Sequence, residues 1–578
     1  PTGYGKTEFA FLWSSGEKFF YTLPLRAAVN QTHRRAENVW GKEDVALLHA
    51  DADLFFLERE NEGSSKTYDL SRQLSLPVCV ATGDQFFPYA LRPPGYERIY
   101  STFAYARLVI DEVQAYEPQA AAIIVKFTED IVKMGGRYLL MTATLPEFVK
   151  KEIQRRTNLD EQRCINLYEE EKEKFENIKR HVVTSLSGLT MELLVQKIIE
   201  EAEFDGGQRV LVVVNTVGKA QEVYENLCMA LRKQSKSDLQ EKIWLFHSRF
   251  TLKDRREREN ILETEFANPK DAPDGAKILV ATQVVEASLN IDADVLFTEL
   301  APMDALIQRM GRIFRRVGPQ CNPCNSGEYV TPDGKRYRLS HEKPNVYLLV
   351  FSKEQDKSDI APYLPEPMYA TAWIFNQLFS GESLPDSVPE KLIDLSKSTG
   401  KKPKRSAKTT IDLKAGTKVL SEYEKFRLVS LLYQSITKAD GEYLRVFYKT
   451  LALLDSGYVS SRKREAQEVF RKISDISAIP KENLPQFLQD VVKFFEDNRY
   501  QNRSRPTYTE FKRDILSRYL VNVPWEKGKV RSDVIDFLPN SFSPREKTLL
   551  VDWLQGVFVV SGSYDAQFGF RYQEETRV

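Results

Sequence analysis

The chain has 578 residues, too many for one hydrophobic core, so several domains are expected. Its 82 basic and 82 acidic side chains cancel, which excludes attraction of polyanions by overall charge and leaves only a local basic groove for any nucleic acid. Five scattered cysteines exclude a disulfide framework and point to a reducing cytoplasm, and no apolar run nears the roughly 20 residues that span a bilayer, so no membrane partner is expected.

Residues 1–7 read Pro-Thr-Gly-Tyr-Gly-Lys-Thr. A Gly-rich turn of this kind, with Thr2, Gly3 and Gly5, lets backbone N–H groups face a polyphosphate. Lys6 is then placed to reach the β- and γ-phosphates of a nucleoside triphosphate, and the Thr7 hydroxyl to ligate Mg²⁺. Such a turn follows a strand, so at least one strand is expected upstream and the sequence reads as a fragment. Glu8–Trp13 reads as the helix behind the turn, and Phe19–Leu23 as a strand leading to Pro24-Leu25-Arg26. A helix with Asn30, Gln31, Arg34 and Arg35 follows. The apolar run Leu76–Ala81 closes in Thr82-Gly83-Asp84-Gln85. Leu108-Val109-Ile110 then delivers Asp111-Glu112 to a strand tip, where one carboxylate can hold a metal through water and the other can orient and deprotonate an attacking water. The next helix, Pro118–Lys133, sets Ile124, Phe127 and Ile131 on one face and stops at Gly135-Gly136. Tyr138–Met141 ends in Thr142-Ala143-Thr144-Leu145-Pro146. Strand and helix alternate throughout, which predicts an open parallel sheet.

A charged passage, Asn166–Arg180, marks a boundary, after which the pattern restarts. Val210–Val214 ends in Asn215-Thr216, Ile243–Phe246 in His247-Ser248-Arg249-Phe250, and Ile278–Ala281 in Thr282-Gln283. Val295–Leu300 precedes a predicted helix carrying Gln308, Arg309, Arg312, Arg315 and Arg316. This is a second α/β sheet domain, with its motifs at the carboxyl ends of strands, where such sheets bind ligands. Asn345–Phe351 is a last strand. Pro362, Pro365 and Pro367 and the basic tract ending Lys401-Lys402-Pro403-Lys404-Arg405 then read as a linker. From about Val419 the pattern is mostly helical.

Arg312 and Arg315, three apart on one helix, would share a face and could both enter a cleft to neutralise charge on a γ-phosphoryl; the alternative is a solvated helix face. Arg26, Thr82, Asp84, Gln85, Thr216, Arg249, Thr282 and Gln283 stand at or just beyond strand ends, where they suit either the phosphates of a single nucleic-acid strand or turns and caps. Cys321 and Cys324 have zinc-ligand spacing, with His341 downstream. No second pair accompanies them, and a turn with two free thiols is the reading. The five histidines are scattered and build no His-Asp dinuclear centre.

In order, Pro-Thr-Gly-Tyr-Gly-Lys-Thr, Thr-Gly-Asp-Gln, Asp-Glu-Val-Gln, Thr-Ala-Thr-Leu-Pro, Ala-Thr-Gln-Val-Val-Glu-Ala-Ser-Leu-Asn-Ile-Asp and Gln-Arg-Met-Gly-Arg resemble the motifs of a superfamily 2 helicase. More narrowly, Thr282–Asp292, Leu245–Phe250, Asp-Glu-Val-Gln-Ala-Tyr, Val469–Ile473 and Tyr564–Gly569 resemble the CRISPR-associated helicase of type I interference systems. The resemblance implies RecA-like parallel-sheet domains at 1–180 and 181–355, a linker at 356–415 and a mostly helical domain at 416–578. It implies that Lys6, Thr7, Asp111 and Glu112 bind and hydrolyse Mg-ATP, and that Thr142 and Thr144 couple hydrolysis to domain movement. Gln114, which stands where many relatives carry His, would share that coupling. Gln283, Glu286 and Asp292 would link the second domain to nucleotide and DNA, while Gln308, Arg309, Arg312 and Arg315 would complete the site. The implied activity is 3′-to-5′ translocation on single-stranded DNA, the non-target strand of an R-loop, in concert with the Cascade surveillance complex. The family's HD nuclease is not in this sequence and would lie upstream or on a separate chain. The alternatives are a superfamily 2 helicase of DNA repair or RNA metabolism, or a nucleotide-gated binding module that does not hydrolyse ATP.

Overall fold

Apolar runs flanked by amphipathic helices bury best as sheets covered on both faces, and two such sheets form the body of the molecule. The structure is a computed structural model. It describes residues 5–24, 26–49, 52, 64–142, 144–267, 275–287, 291–317, 322–324, 328–330, 336–338, 343–351, 363, 365–382, 387–389, 413–438, 442–455, 475–500, 506–524 and 530–572.

The first sheet comprises β1 (Phe19–Leu23), β2 (Val45–Leu48), β3 (Val78–Thr82), β4 (Arg107–Asp111) and β5 (Arg137–Met141). They run parallel in the order β2-β3-β1-β4-β5. Every residue of β1, β2 and β3 is buried, because helices cover both faces. The helix Pro118–Lys133 begins on Pro118, buries Ile124, Phe127 and Ile131, and gives way to Gly135 at φ +96°, as its pattern predicts. The four-residue β2 is absent from the sequence reading, which has no signal long enough to mark it.

The second sheet comprises β6 (His181–Leu189), β7 (Arg209–Val213), β8 (Ile243–Phe246), β9 (Lys277–Ala281) and β10 (Val295–Glu299). A short meander follows, β11 (Asn322–Cys324), β12 (Glu328–Val330) and β13 (Arg336–Arg338), before the sheet is completed by β14 (Val346–Phe351) and β15 (Thr417–Leu420). The order is β15-β6-β14-β10-β7-β9-β8, with β15 alone antiparallel to its neighbour. The chain thus returns to this sheet beyond the expected linker. Cys321, His341 and the side chain of Cys324 lie outside the described residues, as does most of the basic tract 386–408.

Two helices then straddle the sheet domains. Glu422–Lys438 places Leu428, Leu432 and Ile436 in the core of the second domain. Glu442–Asp455 packs Leu444, Phe447 and Leu451 against Phe148, Val149 and Ile153 of the first. The remainder is helical in good part, as expected, around Leu484–Tyr500, and adds β16 (Asp475–Pro480), β17 (Val521–Pro524), β18 (Val530–Asp533) and β19 (Val557–Val560) in the order β17-β16-β19-β18. A hairpin, β20 (Gly562–Asp565) and β21 (Gly569–Tyr572), ends the described chain. No helix among the described residues is long and apolar enough to cross a membrane.

Candidate active site between the sheet domains

Gly5 holds φ +70°, a left-handed conformation that glycine adopts without strain, and Lys6 opens the helix Lys6–Ser14 directly after it. Thr2 and Gly3 lie outside the described residues. The Lys6 ammonium sits between the two strand-tip acids, 3.5 Å from Asp111 Oδ1 and hydrogen-bonded to Glu112 Oε1. Tyr21, on the adjacent strand β1, donates its hydroxyl to Asp111 Oδ2 at 2.7 Å. Burial opposes charge on all three groups. At Lys6 the two carboxylates outweigh it and raise the ammonium above the usual lysine range. Burial prevails at Asp111, which is pushed up, whereas the Lys6 charge outweighs it at Glu112, which is held down. Glu112 is thus held down beside a cation, while its neighbour Asp111 is pushed up.

Glu112 has φ +55°, uncommon for a residue with a side chain, and its N–H donates to Met141 O on the neighbouring β5 at 2.9 Å. That turn aims the carboxylate back towards Lys6. Gln114 donates to Glu112 Oε2 and accepts from the Thr142 hydroxyl, and Thr142 Oγ1 in turn accepts from the Thr144 N–H at 3.0 Å. Gln114, Thr142 and Thr144 therefore form one hydrogen-bonded line from the acid to the loop after β5. Thr7 Oγ1 accepts from Arg35 at 3.3 Å, and Arg35 also pairs with Glu8.

On the second domain, the predicted helix stops at Met310, capped at Gly311, so Arg312 and Arg315 do not share a helix face. They issue from the turn that follows, where Phe314 adopts φ +45°. The turn nevertheless sends both towards the first domain. The Arg312 guanidinium, which donates to Glu286 O, is pushed down to about 9 by burial and by Arg315, while the Glu112 charge across the gap works against that shift. Arg315 is likewise depressed by burial and feels Arg35 of the first domain. Among the described residues the Arg315 guanidinium has no hydrogen-bond partner.

Asp292 and Arg309 depart from the expected contact with nucleotide. Asp292 is 1% exposed and accepts the backbone N–H groups of Arg315 and Arg316 at 2.9 and 3.2 Å. Arg309 is fully buried: it donates to Glu286 Oε1 (2.8 Å), Thr298 Oγ1 (2.8 Å), Glu299 O (3.1 Å), Asn215 Oδ1 (3.0 Å) and Tyr363 Oη (2.8 Å). With its donors spent inside the domain, it braces Glu286 from behind the cleft. Gln283 and Gln308 are half-buried, and their side chains bond to no described residue.

The strand-end polar groups divide. Arg26 is exposed, Asp84 and Gln85 are half-buried, and Gln85 donates to Asp84 at 3.3 Å. Thr82 and Thr282 are 3% and 2% exposed, so neither offers its hydroxyl to a strand on the surface. Thr216 caps the helix Val217–Lys233 by accepting from Lys219 N. Arg249 lies over the Tyr572 ring at 5.0 Å, and its carbonyl accepts from Phe570 N at 3.0 Å, so the C-terminal hairpin occupies it. Tyr21 and Arg35 touch Asp111 and Thr7, and the sequence reading gives neither a role: it places Arg35 on its helix only, and nothing local marks Tyr21, whose contact comes from strand register.

Both sheet domains are similar to known proteins. The family profile described as DEAD/DEAH box helicase matches residues 1–152, and that described as CRISPR-associated nuclease/helicase Cas3, C-terminal, matches residues 206–317. A CRISPR-associated nuclease/helicase Cas3 from Methanothermobacter thermautotrophicus is 31% identical over 330 residues, covering 54% of this chain and 38% of that protein. The chain thus spans about two fifths of the length of that relative. Among solved structures, T. fusca Cas3 bound to AMPPNP aligns with a TM-score of 0.63 at 16% identity, over 99% of this chain and 68% of that one. A chain of a CRISPR RNA-guided surveillance complex, pre-nicking, aligns with a TM-score of 0.56 at 16% identity, over 99% and 67%. At such identities the two structures speak for the fold.

Proposed function

We propose that this chain, similar over its two sheet domains to Cas3-type superfamily 2 helicases, hydrolyses ATP between those domains and uses the cycle to move 3′-to-5′ along single-stranded DNA in CRISPR interference. The reading is carried by the cluster Lys6–Asp111–Glu112 together with Arg312, which feels the Glu112 charge, and Arg315, which feels Arg35, both from the second domain. Lys6 would hold the β- and γ-phosphates, the ionised Glu112 would take the proton of the attacking water, and the two guanidinium groups would neutralise the γ-phosphoryl as its bond breaks. The site chemistry fits magnesium: the Thr7 hydroxyl and the Asp111 carboxylate would hold it, Asp111 Oδ1 being buried, 3.5 Å from the Lys6 ammonium and without a hydrogen-bond partner among the described residues. Magnesium supplies neutralisation of the phosphate oxygens.

The line Glu112–Gln114–Thr142–Thr144 would convey the state of the site to the loop after β5. Arg26, which is exposed, and Asp84 and Gln85, which are half-buried, would be strand contacts on the first domain. The non-target strand of an R-loop would be the track, the Cascade complex the recruiting partner, an HD nuclease a companion upstream or on another chain, and the cytoplasm the setting. The test is phosphate release with and without single-stranded DNA or RNA of matched length. Strong stimulation by DNA is expected. Stronger stimulation by RNA would move the reading to RNA metabolism, and absence of turnover would leave a nucleotide-gated binding module.

A further inference from the structure

The turn that carries Arg312 and Arg315 is short, non-helical and strained at Phe314, so something must hold it. From the domain interior, Ala293 pairs with it through Ala293 N to Arg312 O (2.9 Å) and Phe314 N to Ala293 O (3.0 Å), and Asp292 caps its amides. The carbonyls of Phe314 and Val317 are met instead by Arg180. One guanidinium nitrogen of Arg180 donates to Phe314 O at 3.1 Å and Val317 O at 3.2 Å, while Nε donates to Glu422 at 2.6 Å. His181 lies beside it, its Nε2 3.4 Å from Ile313 O, with Lys425 donating to its Nδ1 at 2.7 Å and to Glu422. Arg180 and Glu422 are 3% and 10% exposed at the side chain.

A buried ion pair seldom adds net stability, because desolvation cancels the attraction; a specified geometry is what such a pair can supply. Here the geometry specified is that of two carbonyls within the arginine-bearing turn. We propose that Arg180 and Glu422 are positioning residues for Arg312 and Arg315. The Glu422 carboxylate aims the Arg180 fork, and the fork fixes the turn from which both arginines reach the nucleotide gap. Glu422 belongs to the helix that follows the linker, so a segment outside both sets of family motifs governs the completion of the active site. This rests on the hydrolytic reading above.

Arg180→Lys tests it in the full chain. Lysine keeps the buried charge and its partner Glu422, yet cannot serve Glu422 and two carbonyls in one plane. DNA-stimulated kcat is expected to fall about tenfold or more, while affinity for a non-hydrolysable ATP analogue changes by less than about threefold. Selective binding of ADP–aluminium fluoride over ADP should weaken, a readout that a purely structural role would leave alone. In an Arg315→Ala background, Arg180→Lys should add less than about threefold. An unchanged kcat in folded protein, a parallel loss of analogue affinity, or full additivity would overturn the proposal. Should Arg180→Lys fail to fold, Glu422→Gln with Lys425→Met, which removes one buried charge of each sign, carries the same expectations; failure of both to fold makes the cluster a folding determinant and sinks the idea. Wild-type protein without ATP turnover would overturn both this proposal and the functional reading, whereas turnover indifferent to Arg180→Lys overturns this one alone.

Discussion

Asp455 accepts both terminal nitrogens of Arg156, at 2.9 and 2.7 Å, across 299 residues of chain. The pair fastens the end of the helix Glu442–Asp455 to the first sheet domain, while the preceding helix, Glu422–Lys438, is part of the second domain's core. These two consecutive helices therefore connect the two domains. Asp455 is 41% exposed at the side chain, so solvent screens the pair and about 1 kcal/mol is a fair upper figure. Asp455→Asn should loosen this connection and speed amide hydrogen exchange in 442–455 severalfold, with the first sheet unaffected. Unchanged exchange would mean that the Phe447 packing holds the helix without help.

Lys6→Ala should abolish nucleotide turnover by at least about a hundredfold. Without the ammonium, Asp111 and Glu112 face one another in a buried site and come to share a proton, which removes the ionised base as well as the phosphate contact. Affinity for single-stranded DNA without nucleotide should stay within about threefold, since Lys6 lies in the gap. Phosphate release at the wild-type rate would contradict the assignment of the site.

Gln114 touches both the base and the loop after β5, so its removal should separate chemistry from motion. Gln114→Ala is expected to retain DNA-stimulated hydrolysis within about tenfold while strand displacement per ATP consumed falls much further. Equal losses in the two measurements would reduce Gln114 to a support for Glu112.

The C-terminal hairpin docks on a neutral histidine. His247 Nε2 donates to Phe568 O at 3.0 Å, and its Nδ1 accepts from Arg249 N at 3.1 Å. Gly569, at φ +72°, lies so close to the imidazole that a Cβ would stand 2.6 Å from its Cε1. Burial, assisted by Arg249 and Arg258, pushes His247 down to about 3 from 6.5, against the Phe568 carbonyl. Since the folded value lies below the unfolded one, the unfolded chain takes up the proton first. The stability from this site is therefore complete above about pH 6.5 and is lost as pH falls towards 3. Unfolding midpoints measured from pH 7.5 to 4.5 should fall more steeply for wild type than for His247→Gln. Parallel curves would remove His247 as the sensor; His181, also held neutral, contributes equally to both proteins.

How much of this is legible in the sequence depends on how local each contact is. Lys6, Thr7, Asp111 and Glu112 are legible because a turn and a strand tip position them through their own neighbours. Arg312 and Arg315 are found by spacing, although the helix assumed for them ends at Gly311 and a turn does the work. Thr82 and Thr282 mislead because a strand end fixes where the backbone stops, while packing decides which way a hydroxyl faces. Arg249 misleads for a different reason: its partner Tyr572 arrives from the far end of the chain. The C-terminal sheet escapes because strands of four residues such as Val521–Pro524 and Val557–Val560 are shorter than any alternation that would announce them.

Arg312 and Arg315 should fail differently when removed. Arg312 donates to Glu286 O, which Arg309 braces through the same residue's side chain, so Arg312→Ala strips a contact within its own domain as well as a charge from the gap. Arg315 spends only its backbone N–H, on Asp292, and its guanidinium bonds to no described residue while burial depresses it. Holding that cation in place costs the protein free energy that a bound polyphosphate would return. Arg315→Ala should therefore lower DNA-stimulated kcat by about a hundredfold or more while leaving the unfolding midpoint unchanged or slightly raised. Arg312→Ala should lower both. If Arg315→Ala instead destabilises the chain and spares turnover, the side chain is a strut between domains and the gap is completed by other groups.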